Sequence, residues 1–243
     1  MYLVADIGNT LAKFFLYKNG RCVLEQKIGL GQVEDMAKSL ILNHPDLEGL
    51  IYSDVSRQAG IFFEKIPIQF PIISVHSKIQ LPFKNNYQSP NSLGSDRIVL
   101  VSAAIKNYPE NNVLIIDLGT CITYDFLDSK GVYHGGAISP GFEMRYKSLH
   151  QFTAKLPFLA PQKVESPEGK NTNQSIHAGI YFGVLEEIIA RIEYYEQKYD
   201  SLTVILTGGD ANKLPKTLKN SIFAHSNFLA EGMLHLLKMN INE

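Results

Sequence analysis

Three aspartates stand beside a glycine where the chain turns, and carboxylates so placed suit phosphate and metal chemistry. Asp6 opens Asp6-Ile7-Gly8-Asn9-Thr10, Asp117 opens Asp117-Leu118-Gly119-Thr120, and Asp96 lies in Gly94-Ser95-Asp96-Arg97. Backbone N–H groups next to a glycine, with Asn and Thr side chains, can hold a phosphate, and a nearby carboxylate can hold its metal ion. The lesser alternative for the first stretch is an ordinary Asx-type turn. Asp96 also has two open readings. It either faces the positive end of a helix dipole as a capping residue, or accepts a proton from a substrate hydroxyl while Arg97 contacts an anionic group. A further pair of glycines, in Thr207-Gly208-Gly209-Asp210, makes either a strand-to-helix turn or a surface against which a nucleotide base or ribose can lie.

Other chemistries find no support. The sequence has no GxxxxGK[ST] phosphate loop, and no GxGxxG follows a strand. Cys22 and Cys121 are the only cysteines, too few for a disulfide scaffold or a cysteine zinc site, and the seven histidines are scattered without metal-ligand spacing. Lys and Arg number 23 against 24 Asp and Glu, so no global charge favours nucleic acid or an anionic membrane. No basic segment precedes an apolar one at the start, and no apolar run approaches membrane-spanning length. The expectation is a reduced, cytoplasmic protein acting on small molecules. Hydrophobic content of 45% over 243 residues supplies the core of one large domain or two lobes.

The elements that must position these residues come in two matching sets. Tyr2 to Ala5 and Val113 to Ile116 are short apolar runs, each ending in Asp-x-Gly, then a Thr and a second apolar run. The copies begin at residues 2 and 113, close to half the chain apart. The first continues to an Asn19-Gly20 turn, the strongest short-range hairpin signal, and the second to Asp128-Ser129-Lys130-Gly131. Helical spacing of apolar residues predicts helices over Gly31 to Asn43, Ser95 to Asn107, Phe142 to Phe152, Thr172 to Tyr199 and Ser226 to Met239. Buried strands are expected at Leu50 to Ser53 and Leu202 to Leu206. Tyr124 and Tyr133 are expected in the core, and Glu186-Glu187 on a solvated helix face. Strands followed by helices in both halves give an α/β fold, with a boundary expected between residues 1–112 and 113–243.

The ordered set Asp6-Ile-Gly-Asn-Thr10, Gly94-Ser-Asp-Arg97, Asp117-Leu-Gly-Thr120, Gly135-Gly-Ala-Ile-Ser-Pro-Gly141, Asn171-Thr-Asn-Gln-Ser-Ile176 and Thr207-Gly-Gly209 resembles type III pantothenate kinases along nearly the whole chain. The resemblance implies two duplicated ribonuclease-H-like lobes of the acetate and sugar kinase, Hsp70 and actin superfamily, with a cleft between them. It implies transfer of phosphate from ATP to the primary hydroxyl of pantothenate, the first step of coenzyme A synthesis. On that basis Asp6, Gly8, Asn9, Thr10 and Lys13 hold ATP phosphates, with Asp6 near Mg2+ or another divalent cation. Gly119 and Thr120 touch ATP, and Gly208 and Gly209 lie against it. Asp96 is the catalytic proton acceptor. Tyr87, Gly94, Ser95, Asp96, Arg97 and Thr172 bind pantothenate, and Asp117 binds K+ or NH4+. A homodimer is implied, with the helix beginning near Thr172 close to the subunit boundary. Ser95 stands where many members of the family carry Ala, and Cys121 after Thr120 is less usual. The same fold also serves activator-like relatives and nucleotide-dependent scaffolds, but joint retention of Asp6, Asp96, Arg97, Asp117 and Thr172 favours an enzyme.

Overall fold

Leu3, Val4, Ala5 and Ile7 are all at most 1% exposed, so the first strand is covered on both faces and belongs in the middle of a sheet. In the computed structural model this strand, β1 (Tyr2–Ile7), pairs antiparallel with β2 (Leu11–Lys18), which pairs antiparallel with the outer strand β3 (Arg21–Gly29). The structure describes residues 1–55, 60–215, 218, 221–224 and 227–241. Asn19 and Gly20 both have positive φ, 51° and 77°, the twist a two-residue hairpin turn demands. Helix α1 (Val33–Asn43) crosses over to β4 (Gly49–Asp54), parallel to β1, and α2 (Gly60–Lys65) leads to β5 (Ile72–Ser74), parallel to β4. The sheet order is therefore β3-β2-β1-β4-β5. Val33, Ala37 and Leu40 of α1 and Phe63 of α2 pack with Leu3, Ala5, Phe14, Leu50 and Tyr52. The Pro-, Asn- and Ser-rich stretch over residues 81–93 carries a two-residue strand, β6 (Lys84–Asn85), and α3 (Ser95–Asn107) has the predicted bounds.

The second set repeats this plan. Strand β7 (Val113–Leu118) pairs antiparallel with β8 (Cys121–Leu127), β9 (Val132–Pro140) lies next to β8, and α4 (Phe142–Gln151) and α5 (Thr172–Glu196) follow. Strands β10 (Thr203–Thr207) and β11 (Ser221–Phe223) then add parallel to β7 and β10 respectively. The two-residue β6 adds at the edge, parallel to β9 through Val132 and Tyr133, and the other five strands, β9-β8-β7-β10-β11, follow the same order as β3-β2-β1-β4-β5. Its core joins Leu114, Ile116, Ile122 and Tyr124 to Phe142 and Tyr146 of α4 and to Ile176, Ile180, Val184, Ile188 and Ile192 of α5. That stripe on α5 is the one its sequence periodicity predicts, although the helix stops at Glu196 rather than Tyr199. Tyr124 and Tyr133 are buried, as expected.

The last helix, α6 (Phe228–Ile241), does not stay with the second set; its expected start at Ser226 lies outside the described residues. It contacts α3, β1 and β4. A side chain at Gly232 would run into Val99 O and the backbone and Cβ of Ala103, so a glycine is what lets α6 approach α3 so closely. By compactness the chain divides into Met1–Pro109 with Gly131–Tyr133 and Ser226–Glu243, and Glu110–Lys130 with His134–His225. This differs from a single cut after residue 112, because the C-terminal helix returns to the first unit. Among the described residues, no helix is long and apolar enough to cross a membrane.

Candidate active site

In the first unit the parallel strands β1 and β4 end side by side, and Asp6 lies in register with Ser53 on one side and Lys13 of β2 on the other. Burial pushes the Asp6 carboxyl up to about 6, the positive charge of Lys13 opposes that rise, and the negative charge of Asp96 adds to it. A carboxyl in this state gains from a nearby cation. The turn beyond it is closed by Gly8 N–H donating to Leu11 O at 3.0 Å, which leaves Asn9 and Thr10 exposed at the tip.

Asp96 stands in the first turn of α3, where its charge also meets the helix dipole favourably. Its carboxylate folds back so far over Gly94 that any Cβ there would collide with Asp96 Oδ1. The glycine is thus a condition of that carboxylate's position. Ser95, beside it, accepts a 2.9 Å hydrogen bond from Ser53, a fully buried serine that sequence reading passed over. The available signal was a polar residue closing the apolar run Leu50-Ile51-Tyr52, at the carboxyl end of a parallel strand, where α/β proteins place ligands. Arg97 is buried, with its guanidinium 5.6 Å from the centre of the Tyr87 ring, and Tyr87 in turn lies 6.2 Å from the Tyr133 ring. Asp6, Lys13, Ser53, Tyr87, Gly94, Ser95, Asp96 and Arg97 all belong to this one unit.

In the second unit Asp117 lies in register with Thr123 of β8 and Thr207 of β10. Gly208 has φ 94°, and a side chain on it would strike Asp117 Oδ1 and Leu118 O; Gly209 has nothing within 4 Å of where a Cβ would be. The two glycines are therefore unlike: the first is required by the backbone, and the second leaves open space. Thr123 Oγ1, across from Asp117, is buried with no hydrogen-bond partner in the protein. Thr120 is exposed on the β7–β8 turn, which Gly119 N–H closes by donating to Cys121 O at 3.0 Å. Thr172 is the first residue of α5, after the N-cap Asn171, whose side chain accepts from Gln174 N–H. Among the described residues no three His, Cys, Asp or Glu gather as a metal cluster.

A family model for type III pantothenate kinase matches residues 2–193. The type III pantothenate kinase of Christiangramia forsetii is 43% identical over 240 residues, 99% of each chain, and that of Flavobacterium psychrophilum is 39% identical over 97% of this chain and 98% of its own. The chain belongs to the type III pantothenate kinase family. Among solved structures, a Campylobacter jejuni protein described as a Baf family transcriptional activator shares the fold at TM-score 0.66 and 22% identity, covering 99% of this chain and 100% of its own. The activator of 2-hydroxyisocaproyl-CoA dehydratase from Clostridium difficile, solved with bound ADPNP, does so at TM-score 0.55 and 14% identity, covering 99% and 94%. The duplicated α/β lobes are those of the sugar kinase and actin-like ATPase fold.

In this member of the family one expectation is corrected. Glu186 is exposed, but Glu187 is no solvated surface residue. Its carboxylate accepts from Tyr124 Oη at 2.8 Å and Ser139 Oγ at 3.1 Å, and forms an ion pair with Arg145. Burial alone would raise the Glu187 carboxyl, but these hydrogen bonds outweigh it and hold it below the usual range. Neighbouring glutamates on one helix look alike in sequence; what separates these two is a partner 42 residues away.

Proposed function

We propose that this chain transfers the γ-phosphate of ATP to the primary hydroxyl of pantothenate, giving 4'-phosphopantothenate and ADP. The observation that carries the reading is its full-length kinship with pantothenate kinases, at 43% identity in the first case above. The hydroxyl oxygen attacks the γ-phosphorus, the bond from that phosphorus to the ADP oxygen breaks, and Asp96 takes the hydroxyl proton. Tyr87, Gly94, Ser95, Arg97 and Thr172 bind pantothenate, and the buried guanidinium of Arg97 suits its carboxylate. Support for the part of this set in the first unit is the contact of Arg97 with Tyr87 and the Asp96 carboxylate lying over Gly94.

Asp6, Gly8, Asn9, Thr10 and Lys13 hold the ATP phosphates, and Gly119, Thr120, Gly208 and Gly209 lie along the nucleotide. A divalent cation near Asp6 neutralises phosphate charge when bound, and the raised Asp6 carboxyl supports that assignment. Asp117 binds K+ or NH4+, a role supported by the orphaned Thr123 hydroxyl across from it. The enzyme is cytoplasmic and acts as a homodimer, with Ile189 and Tyr194, exposed on α5, available to a second copy.

The test is direct. Purified protein with pantothenate, ATP, Mg2+ and K+ should yield phosphopantothenate; no turnover under those conditions would overturn the reading.

A further inference from the structure

The peptide joining Pro140 to Gly141 is gripped from both sides. Its carbonyl accepts a 2.8 Å hydrogen bond from Arg145 Nε, and its N–H donates to Thr120 O at 3.1 Å. Because a peptide is planar, these two groups cannot turn independently: rotating the plane to release one bond releases the other. Gly141 also lies so close to the β7–β8 turn that a side chain on it would strike Gly119 O and Thr120 O, so no slack exists there. Arg145 is oriented in turn. Its Nη2 donates to Ser139 Oγ at 3.0 Å and pairs with Glu187 of α5, whose other oxygen is held by Tyr124. At 21% and 26% side-chain exposure, Arg145 and Glu187 are partly shielded where they meet each other and Ser139, whereas the Nε bond to Pro140 O faces solvent.

We infer that Arg145, held by Glu187, is a positioning residue for the nucleotide: it fixes the Pro140–Gly141 peptide and thereby the Gly119–Thr120 turn. The inference rests on the reading above that this turn touches ATP. Neither residue touches a reacting atom; both act through Thr120.

Arg145→Lys keeps a cation beside Glu187 but offers one nitrogen in place of a fork, so it cannot serve Pro140 O, Ser139 and Glu187 together. Its KM for ATP and its calorimetric Kd for ADP should rise on the order of tenfold, the loss of one charge-assisted hydrogen bond. KM for pantothenate should stay within about twofold and the melting temperature should hold, which a merely structural role would not produce. Glu187→Gln should shift the ATP constants in the same direction by less. Should Arg145→Lys fail to fold, Arg145→Met combined with Glu187→Gln removes both charges at once and carries the same comparison. Unchanged ATP and ADP constants in a folded variant would overturn the inference, as would a parallel loss of both substrates' binding with falling melting temperature. The parent protein separates the two claims. If it binds no ADP, the functional reading fails; if it binds normally and the variants match it, this inference alone fails.

Discussion

Asp6 feels the negative charge of Asp96, and each of these two carboxylates, for which different tasks are proposed, admits a substitution that separates shape from charge. Asp96→Asn keeps the size and the helix-start position but cannot take a proton, so kcat should fall on the order of 10²- to 10⁴-fold with the fold intact by circular dichroism. Near-normal kcat would return Asp96 to a capping residue. For Asp6 the prediction concerns stability. Its carboxyl rises from 3.8 to about 6 in the folded protein, so the protonated form is the favoured one. Stability from this group is fully present below its unfolded value and is lost as pH rises through about 6. Without nucleotide or metal, Asp6→Asn should therefore gain on the parent between about pH 4 and pH 7 in paired thermal melts. A gap between the two that ignores pH would show that Asp6 titrates as an ordinary carboxyl.

At the scale of elements, the paired strand–turn–strand units put Gly208 under two constraints that Gly209 escapes. Gly208→Ala should cost at least about 1 kcal/mol from its left-handed backbone alone, before the clash with Asp117 Oδ1. Gly209→Ala should melt close to the parent, and equal losses for the two would contradict the geometry. Sequence alone marked both glycines without telling them apart, because φ is a property of the turn and not of the residue. It was more informative where structure is local. Asn19-Gly20 states its own turn, the α5 stripe states its own buried face, and the Asp-x-Gly repeats announced matching sheets. It was silent where the cause lies far along the chain: Ser53 beneath Ser95, and Arg145 against Glu187, are pairs 42 residues apart whose meeting depends on the sheet order.

For the whole molecule, the dimer expected from family kinship has a simple measurement. Sedimentation should give twice the mass of one chain, and Ile189→Lys, placing a charge on the exposed side of α5, should shift it toward the monomer. A monomeric parent would exclude this arrangement. The C-terminal helix carries a different consequence, one for the order of events during synthesis. Strands β1 and β4 and helix α3 are made early, yet α6, with Met233, Leu236 and Leu237 at 0% exposure, covers them only after residue 228 has been made. Until then an apolar face of the N-terminal unit is left open on the emerging chain, and the first lobe to be translated is among the last to close. A nascent chain halted just short of α6 should be captured by chaperones and cut by proteases, whereas one extended through residue 241 should resist both.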